Sequence, residues 1–127
     1  MKDITVTIRP LEEGDAEAVQ RYASDERVAR TSNIPHPYPP DGGEMYVKDR
    51  IAAQKARERF PFAILADGEL VGVVELNKPD VENRTIQCDY SLAFSHWGRG
   101  IGTGAVALAV DYAFRELGME AVCSACL

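Results

Sequence analysis

His96-Trp97-Gly98-Arg99-Gly100-Ile101-Gly102-Thr103-Gly104-Ala105 is the stretch around which the chain reads. On its N-terminal side, Thr85 to Phe94 alternates Ile86, Cys88, Tyr90, Leu92 and Phe94 against Gln87, Asp89, Ser91 and Ala93, the period of a half-buried strand. On its C-terminal side, Ile101, Ala105, Leu108, Ala109 and Tyr112 recur at helical spacing, and Leu117-Gly118 supplies a glycine stop. The stretch is therefore a strand-to-helix junction. Its glycines let a bulky ligand approach the backbone, and the free N–H groups of the first helical turn, at the positive end of the helix dipole, make an anion site. A phosphate is the natural guest, with Arg99 as a forked cation and the Thr103 hydroxyl as a further donor. A turn that merely starts a helix is the plainer reading, but each glycine in a helix start costs about 1 kcal/mol relative to alanine, and four fall within seven residues here.

Two familiar phosphate loops do not fit. A Walker A loop needs a lysine before its Ser/Thr, and none is present. Gly100-Ile101-Gly102-Thr103-Gly104-Ala105 matches the loose dinucleotide fingerprint, with Glu120 twenty residues after Gly100. That acidic residue belongs at the end of a second strand, however, and Glu120 starts one.

Working outward, Ile4 to Ile8 alternates as an opening strand closed by Arg9-Pro10, and Asp15 is placed to cap a short helix reaching Tyr22. A second short helix spans Asp25 to Arg30, and the proline-rich Asn33 to Gly43 forms a stiff loop. Glu44 to Arg59 reads as a surface amphipathic helix with Val47, Ile51 and Ala52 on one side. Phe60 to Ala66 and Glu69 to Asn77 are strands joined by the hairpin signal Asp67-Gly68, and a second turn over Lys78 to Asn83 leads to the Thr85–Phe94 strand. Met119 to Leu127 is a final strand, which a crossover helix sets parallel to Thr85–Phe94.

The composition sets the frame. The 127 residues are 46% apolar and 27% charged, one soluble globular domain by size, able to bury roughly two thirds of the surface its unfolded chain exposes. A net charge of −6 argues against nucleic acid or an anionic membrane as partner and leans towards cationic substrates such as amines. No apolar run approaches the roughly 18 residues of a membrane span, and the charged N-terminus is unlike a signal peptide. Cys88, Cys123 and Cys126 are too few and too odd in number for a disulfide framework, so the cytoplasm is the expected compartment. Cys123 and Cys126 lie three apart on a strand, hence on opposite faces, and lack a second ligand pair, so no metal site is expected.

The central stretch resembles the acyl-CoA signature of the GNAT superfamily of N-acetyltransferases. Gly100 and Gly102 fit its two small positions, and Trp97 stands where Arg or Gln is usual, as in the RimJ/RimL-like branch with its Trp-Gly-Arg-Gly. Ile8-Arg9-Pro10-Leu11, Leu70-Val71-Gly72 and Asp111-Tyr112-Ala113-Phe114 extend the resemblance along nearly the whole chain. It implies a single α/β (α+β) domain over residues 1–127, with a mixed, mostly antiparallel sheet flanked by helices and a splay between Thr85–Phe94 and the last strand. It also implies acetyl-CoA as cosubstrate, the pantetheine meeting the backbone of Leu92, Ala93 and Phe94. The pyrophosphate would rest on the turn Trp97, Gly98, Arg99, Gly100, Ile101, Gly102 and Thr103. Acetyl transfer goes to a primary amine, a protein N-terminal α-amine or that of a small molecule. Tyr22, Tyr38 and Tyr46 fall in the part of the chain that lines the acceptor site in the family.

The branch commonly carries Glu where this chain has Gln87, and Gly where it has Asp89. With the turn centred near Val81, antiparallel pairing sets Glu75 opposite Gln87, so Asp89 and Glu75 are the candidate bases, with His36 and His96 as alternatives. In the family a further helix and a closing strand pair follow the last strand, and both are expected to be missing here. The expectation is a domain short of its C-terminal part, its last strand covered by a second copy in a homo-oligomer. A non-catalytic CoA-binding or self-assembling module is the alternative to an enzyme.

Overall fold

The computed structural model describes residues 4–32 and 34–124. Among them five strands form one sheet in sequential order: β1 Val6–Pro10, β2 Arg59–Ala66, β3 Glu69–Asp80, β4 Thr85–Leu92 and β5 Ala121–Ser124. The helices are α1 Ala16–Ala23, α2 Glu26–Ser32, α3 Gly42–Lys55 and α4 Ile101–Arg115. β1 to β4 run antiparallel, and β5 lies parallel to β4, as the crossover predicts. Residues 125–127, and Cys126 with them, lie outside the described residues.

The hairpin between β2 and β3 follows from its turn residues. Asp67 and Gly68 both adopt positive φ, 51° and 86°, as a two-residue loop of the primed type requires. The next turn is less simple. β3 runs on to Asp80, with a register shift between Asn77 and Asp80 and Lys78 held at φ 51°. The sequence-based register is corrected because the turn between Asp80 and Thr85 lies beyond Val81: Glu75 pairs with Asp89 and Asn77 with Gln87. Phe94 leaves the strand for a short 3-10 turn, Phe94–His96.

Helices cover both faces. On one, Ala105, Ala109 and Ala113 of α4 are fully buried in the cluster that holds Ile64, Val74, Leu76 and Ile86. Three alanines four residues apart let the helix axis sit close to the sheet. On the other face, Val19, Tyr22, Val28 and Val47 pack with Ala63 and Val73. Gly42 and Gly43, expected in the loop, open α3 instead. A Cβ on Gly43 would lie 2.4 Å from the Ala16 carbonyl oxygen, so glycine allows α3 to touch the α1 backbone there. Gln20 staples the two, accepting from Gly43 N–H at 2.7 Å and donating to Pro39 O at 2.9 Å.

Asp15 is the second correction. Its side chain makes no cap bond to α1; it is buried, and both its oxygens accept from Arg9 at 2.8 Å while Glu12 N–H donates to one of them. Burial works to raise this carboxyl's pKa, but the Arg9 hydrogen bonds, the Glu12 N–H and the Arg9 charge outweigh it and hold the pKa below the usual value. A depressed carboxyl stabilises the fold above its unfolded pKa and loses that contribution as pH falls through its folded one. Asp15→Asn is therefore expected to cost about 1–3 kcal/mol at neutral pH in chemical denaturation. The gap to the parent protein should narrow as the pH is taken below about 4, the ordinary carboxylate range.

Candidate active site

The junction that dominates the sequence is built by hydrogen bonds within the chain. Trp97 Nε1 donates to Leu92 O at 2.8 Å, Ala93 N–H to Val71 O at 2.7 Å, His96 N–H to Ala93 O at 3.0 Å and Trp97 N–H to Phe94 O at 3.1 Å. Phe94 packs on Trp97 with ring centroids 4.7 Å apart, and the Arg27 guanidinium of α2 lies 3.7 Å over the Phe94 ring. Arg27 is itself held by Asp25 at 2.7 Å. The turn then passes through Gly98 and Gly100 at φ 74° and 76°, where other residues are strained. Beside both glycines the space is open for 4 Å.

α4 starts without a side-chain cap. Its first bond runs from Gly104 N–H to Gly100 O at 3.0 Å, which leaves the N–H groups of Ile101, Gly102 and Thr103 without a protein acceptor. Three convergent donors beside an open glycine turn suit a phosphate group. Of the ten residues expected at this turn, Leu92, Trp97, Gly98, Gly100, Ile101, Gly102 and Thr103 line a groove of about 470 Å³. Ala93, Phe94 and Arg99 do not line it. The backbone groups expected to meet pantetheine are partly engaged: the Ala93 N–H is spent on Val71, whereas the carbonyls keep a second lone pair.

Gly102 has a role that spacing alone does not reveal. A Cβ there would sit 2.5 Å from the Tyr90 ring, so its smallness makes room for Tyr90 as much as for any ligand.

A second cavity, of about 550 Å³, opens on the α1/α3 side of the sheet and shares Tyr90 and Ser91 with the groove. Tyr22, Tyr38 and Tyr46 all line it. The Tyr22 hydroxyl hydrogen-bonds Ser91 Oγ at 2.8 Å. Burial pushes the Tyr22 and Tyr46 phenols far above their ordinary value, so both remain protonated.

The floor holds the two candidate carboxylates, now cross-strand neighbours. Glu75 is 5% exposed, with Arg59 NH1 donating to Oε2 at 2.8 Å and Arg50 Nε 2.7 Å from Oε1. The Arg50 N–H is not aimed at that oxygen, so the contact is ionic, and both atoms are buried with no hydrogen-bond partner. Arg50 also lies over the Tyr46 ring, 4.6 Å from its centroid. Asn77 Nδ2 sits between the carboxylates, 3.2 Å from Glu75 and 3.0 Å from Asp89. Asp89 is half-buried and has no cationic partner among the described residues. His96 lines the groove and contacts Ser95 Oγ at 2.9 Å, whereas His36 lines neither cavity. Among the described residues no group of three or more His, Cys, Asp or Glu side chains could hold a metal ion.

Sequence reasoning missed Arg50, Arg59 and Asn77. The first two sit in a helix rich in charges and at a strand start, and only the β2–β3–β4 register brings them to the cavity. Asn77 was legible as an inward-facing polar residue two along from Glu75.

Residues 5–127 match the acetyltransferase (GNAT) domain family. Over 119 residues the chain is 28% identical to an uncharacterized N-acetyltransferase, p20, of Bacillus licheniformis, covering 92% of this chain and 67% of that one. Over 120 residues it is 30% identical to the spermidine N(1)-acetyltransferase of Escherichia coli K12, covering 91% of this chain and 60% of the other. A crystal structure of a "Probable acetyltransferase" superposes with a TM-score of 0.82 at 28% identity, over 94% of this chain and 68% of that one.

The contact between Gly102 and Tyr90 is directly testable. Gly102→Ala is expected to destabilise the protein by about 1–3 kcal/mol, as overpacking does. In a Tyr90→Ala background the same change should cost far less, and a double-mutant cycle by chemical denaturation reads the difference.

Proposed function

Because the chain belongs to the acetyltransferase (GNAT) domain family, we propose that it moves the acetyl group of acetyl-CoA to a primary amine bound in the 550 Å³ cavity. The amine is that of a small molecule or the α-amine of a protein N-terminus. The observation that carries this reading is the meeting of the two cavities at Tyr90 and Ser91. One cavity offers uncapped helix N–H groups to a phosphate, the other a carboxylate to an amine.

Acetyl-CoA supplies an activated thioester. The N–H groups of Ile101, Gly102 and Thr103 would hold its pyrophosphate, with Leu92 and Ser91 lining the same groove. Asp89 takes the proton of the incoming ammonium, directly or through a water, because it alone of the two carboxylates has oxygens not claimed by a guanidinium. The free amine would then form the C–N bond as the thioester C–S bond breaks, and the second proton that the nitrogen gives up would leave with the sulfur as the CoA thiol. Glu75 keeps Arg50 and Arg59 in place. Tyr22 fixes the Ser91 hydroxyl where the cavities join.

Residues 1–127 act as one GNAT-like domain in this reading, and the cytoplasm is its proposed location. No helix among the described residues is long and apolar enough to cross a membrane. The outer edge of β5 has no strand partner among the described residues, which supports pairing with a second copy. A solution mass of a dimer or larger is expected, and a monodisperse monomer counts against it.

Acetyl-CoA should raise the melting temperature by an amount that grows with its concentration. No shift at millimolar ligand would remove the basis of the proposal. Asp89→Asn should lower kcat by about 100-fold or more while leaving that thermal protection intact. Unchanged turnover would take the role of base away from Asp89.

A further inference from the structure

The acceptor cavity is not the acidic hole that a net charge of −6 suggests. Its lining carries three cations, Arg50, Arg59 and Lys78, against two carboxylates, Glu75 and Asp89. Asp49 engages Arg50 from outside the lining. The cations are also unevenly satisfied. Arg59 spends one guanidinium nitrogen on Glu75 and bonds no other described residue. Arg50 Nε stands 2.7 Å from Glu75 Oε1 as an ion pair without a hydrogen bond. Lys78 forms no ion pair among the described residues, and it stands in the register shift between Asn77 and Asp80 at φ 51°. An irregularity of this kind re-aims a side chain, and a non-glycine residue held at positive φ marks a position that the surroundings enforce.

A polyamine suits such a cavity poorly. One ammonium can lie against Asp89, but every further positive charge meets the Arg50 and Arg59 guanidinium groups, which already hold Glu75, and the Lys78 ammonium, which has no ion-pair partner among the described residues. An amine with an anionic group on the same molecule suits it well. Resting on the acetyltransferase reading, we propose that the acceptor is a primary amine carrying a carboxylate or similar anion, its nitrogen at Asp89 and its anion at Arg59 and Lys78. Asp89 on β4 faces Glu75 on β3 roughly 5 Å away, and Arg59 stands one strand further, on β2, reaching Glu75 Oε2 at 2.8 Å. That separation matches an ω-amino acid or a short peptide with a free carboxylate better than an α-amino acid, whose two charged groups share one carbon.

The test is a kinetic panel at saturating acetyl-CoA with spermidine, glycine, 4-aminobutyrate, glycylglutamate and an uncharged-tail amine of similar length such as pentylamine. Titration of the same compounds into the CoA-saturated protein gives their binding. Higher kcat/KM and tighter binding for 4-aminobutyrate or glycylglutamate than for pentylamine and spermidine are expected, and the order of the first two tells a free ω-amino acid from a peptide N-terminus. Lys78→Gln should raise KM for the anionic amines by about tenfold, the loss of one charge-assisted contact, with kcat and the pentylamine KM little changed. Lys78→Glu should shift preference towards spermidine. Lys78 is exposed, so both variants should fold, which the acetyl-CoA thermal shift verifies. Spermidine or pentylamine equal to or better than the anionic amines overturns this proposal while the acetyltransferase reading stands. Absence of turnover with every amine overturns both.

Discussion

Among the described residues, β4 has a strand neighbour on one side along its whole length and on the other side along only half of it. β3 pairs with it from Thr85 to Leu92, whereas β5 reaches only from Thr85 to Cys88. From Asp89 to Leu92 the outer edge is left without a strand among the described residues. Backbone groups there need partners of another kind, because a buried unpaired N–H or C=O costs as much as a lost hydrogen bond. The chain answers part of this need itself, turning back so that the Trp97 indole takes the Leu92 carbonyl. The groove and the 550 Å³ cavity meet at this end of β4, where Tyr90 and Ser91 line both.

The same junction trades stability for binding capacity. A side-chain cap at the start of α4 would add about 1 kcal/mol, and Gly100 provides none. In exchange, three N–H groups stay open to an anion. The small residues continue inside the helix for a different reason. Gly102 accommodates the Tyr90 ring, and Ala105, Ala109 and Ala113 bring the helix down onto the sheet. The run of small side chains from Gly98 to Ala113 thus serves three separate demands: a left-handed turn, a close aromatic contact and a close helix–sheet approach.

Much of this was legible in the sequence, and the failures share one cause. Asp67-Gly68 specified its hairpin because only a left-handed pair of residues closes a two-residue loop. The alternation over β4 put Gln87, Asp89 and Ser91 on one face, and that face lines the acceptor cavity. The turn glycines announced an open turn, and Gly98 and Gly100 hold positive φ there. What spacing could not supply was the exact pairing between strands. The turn is centred between Glu82 and Asn83 rather than on Val81, and with a register shift between Asn77 and Asp80 this sets Glu75 against Asp89 instead of Gln87. Asp15 looked like a helix cap because aspartate before a helix usually is one, and a long-range bond from Arg9 claimed it instead. Arg50 and Arg59 escaped notice for the same reason, since their function depends on a residue brought to them by the sheet.

The arginine cluster explains how two carboxylates can face each other across β3 and β4 and still differ in use. Two unpaired carboxylates at cross-strand distance would repel, and burying either alone would cost several kcal/mol. Glu75 avoids this by lying between Arg50 and Arg59, and the Asn77 amide screens it from Asp89. With its oxygens taken, Glu75 has little room for a substrate proton, and Asp89 keeps the accessible lone pairs. The lining thus carries Arg50, Arg59 and Lys78 beside Glu75 and Asp89. Bulk net charge carries no information about this, because charges on the far surface are screened beyond roughly 8–10 Å, whereas groups lining the cavity act at contact. An acidic protein can therefore present a site suited to an amine that brings its own counter-charge.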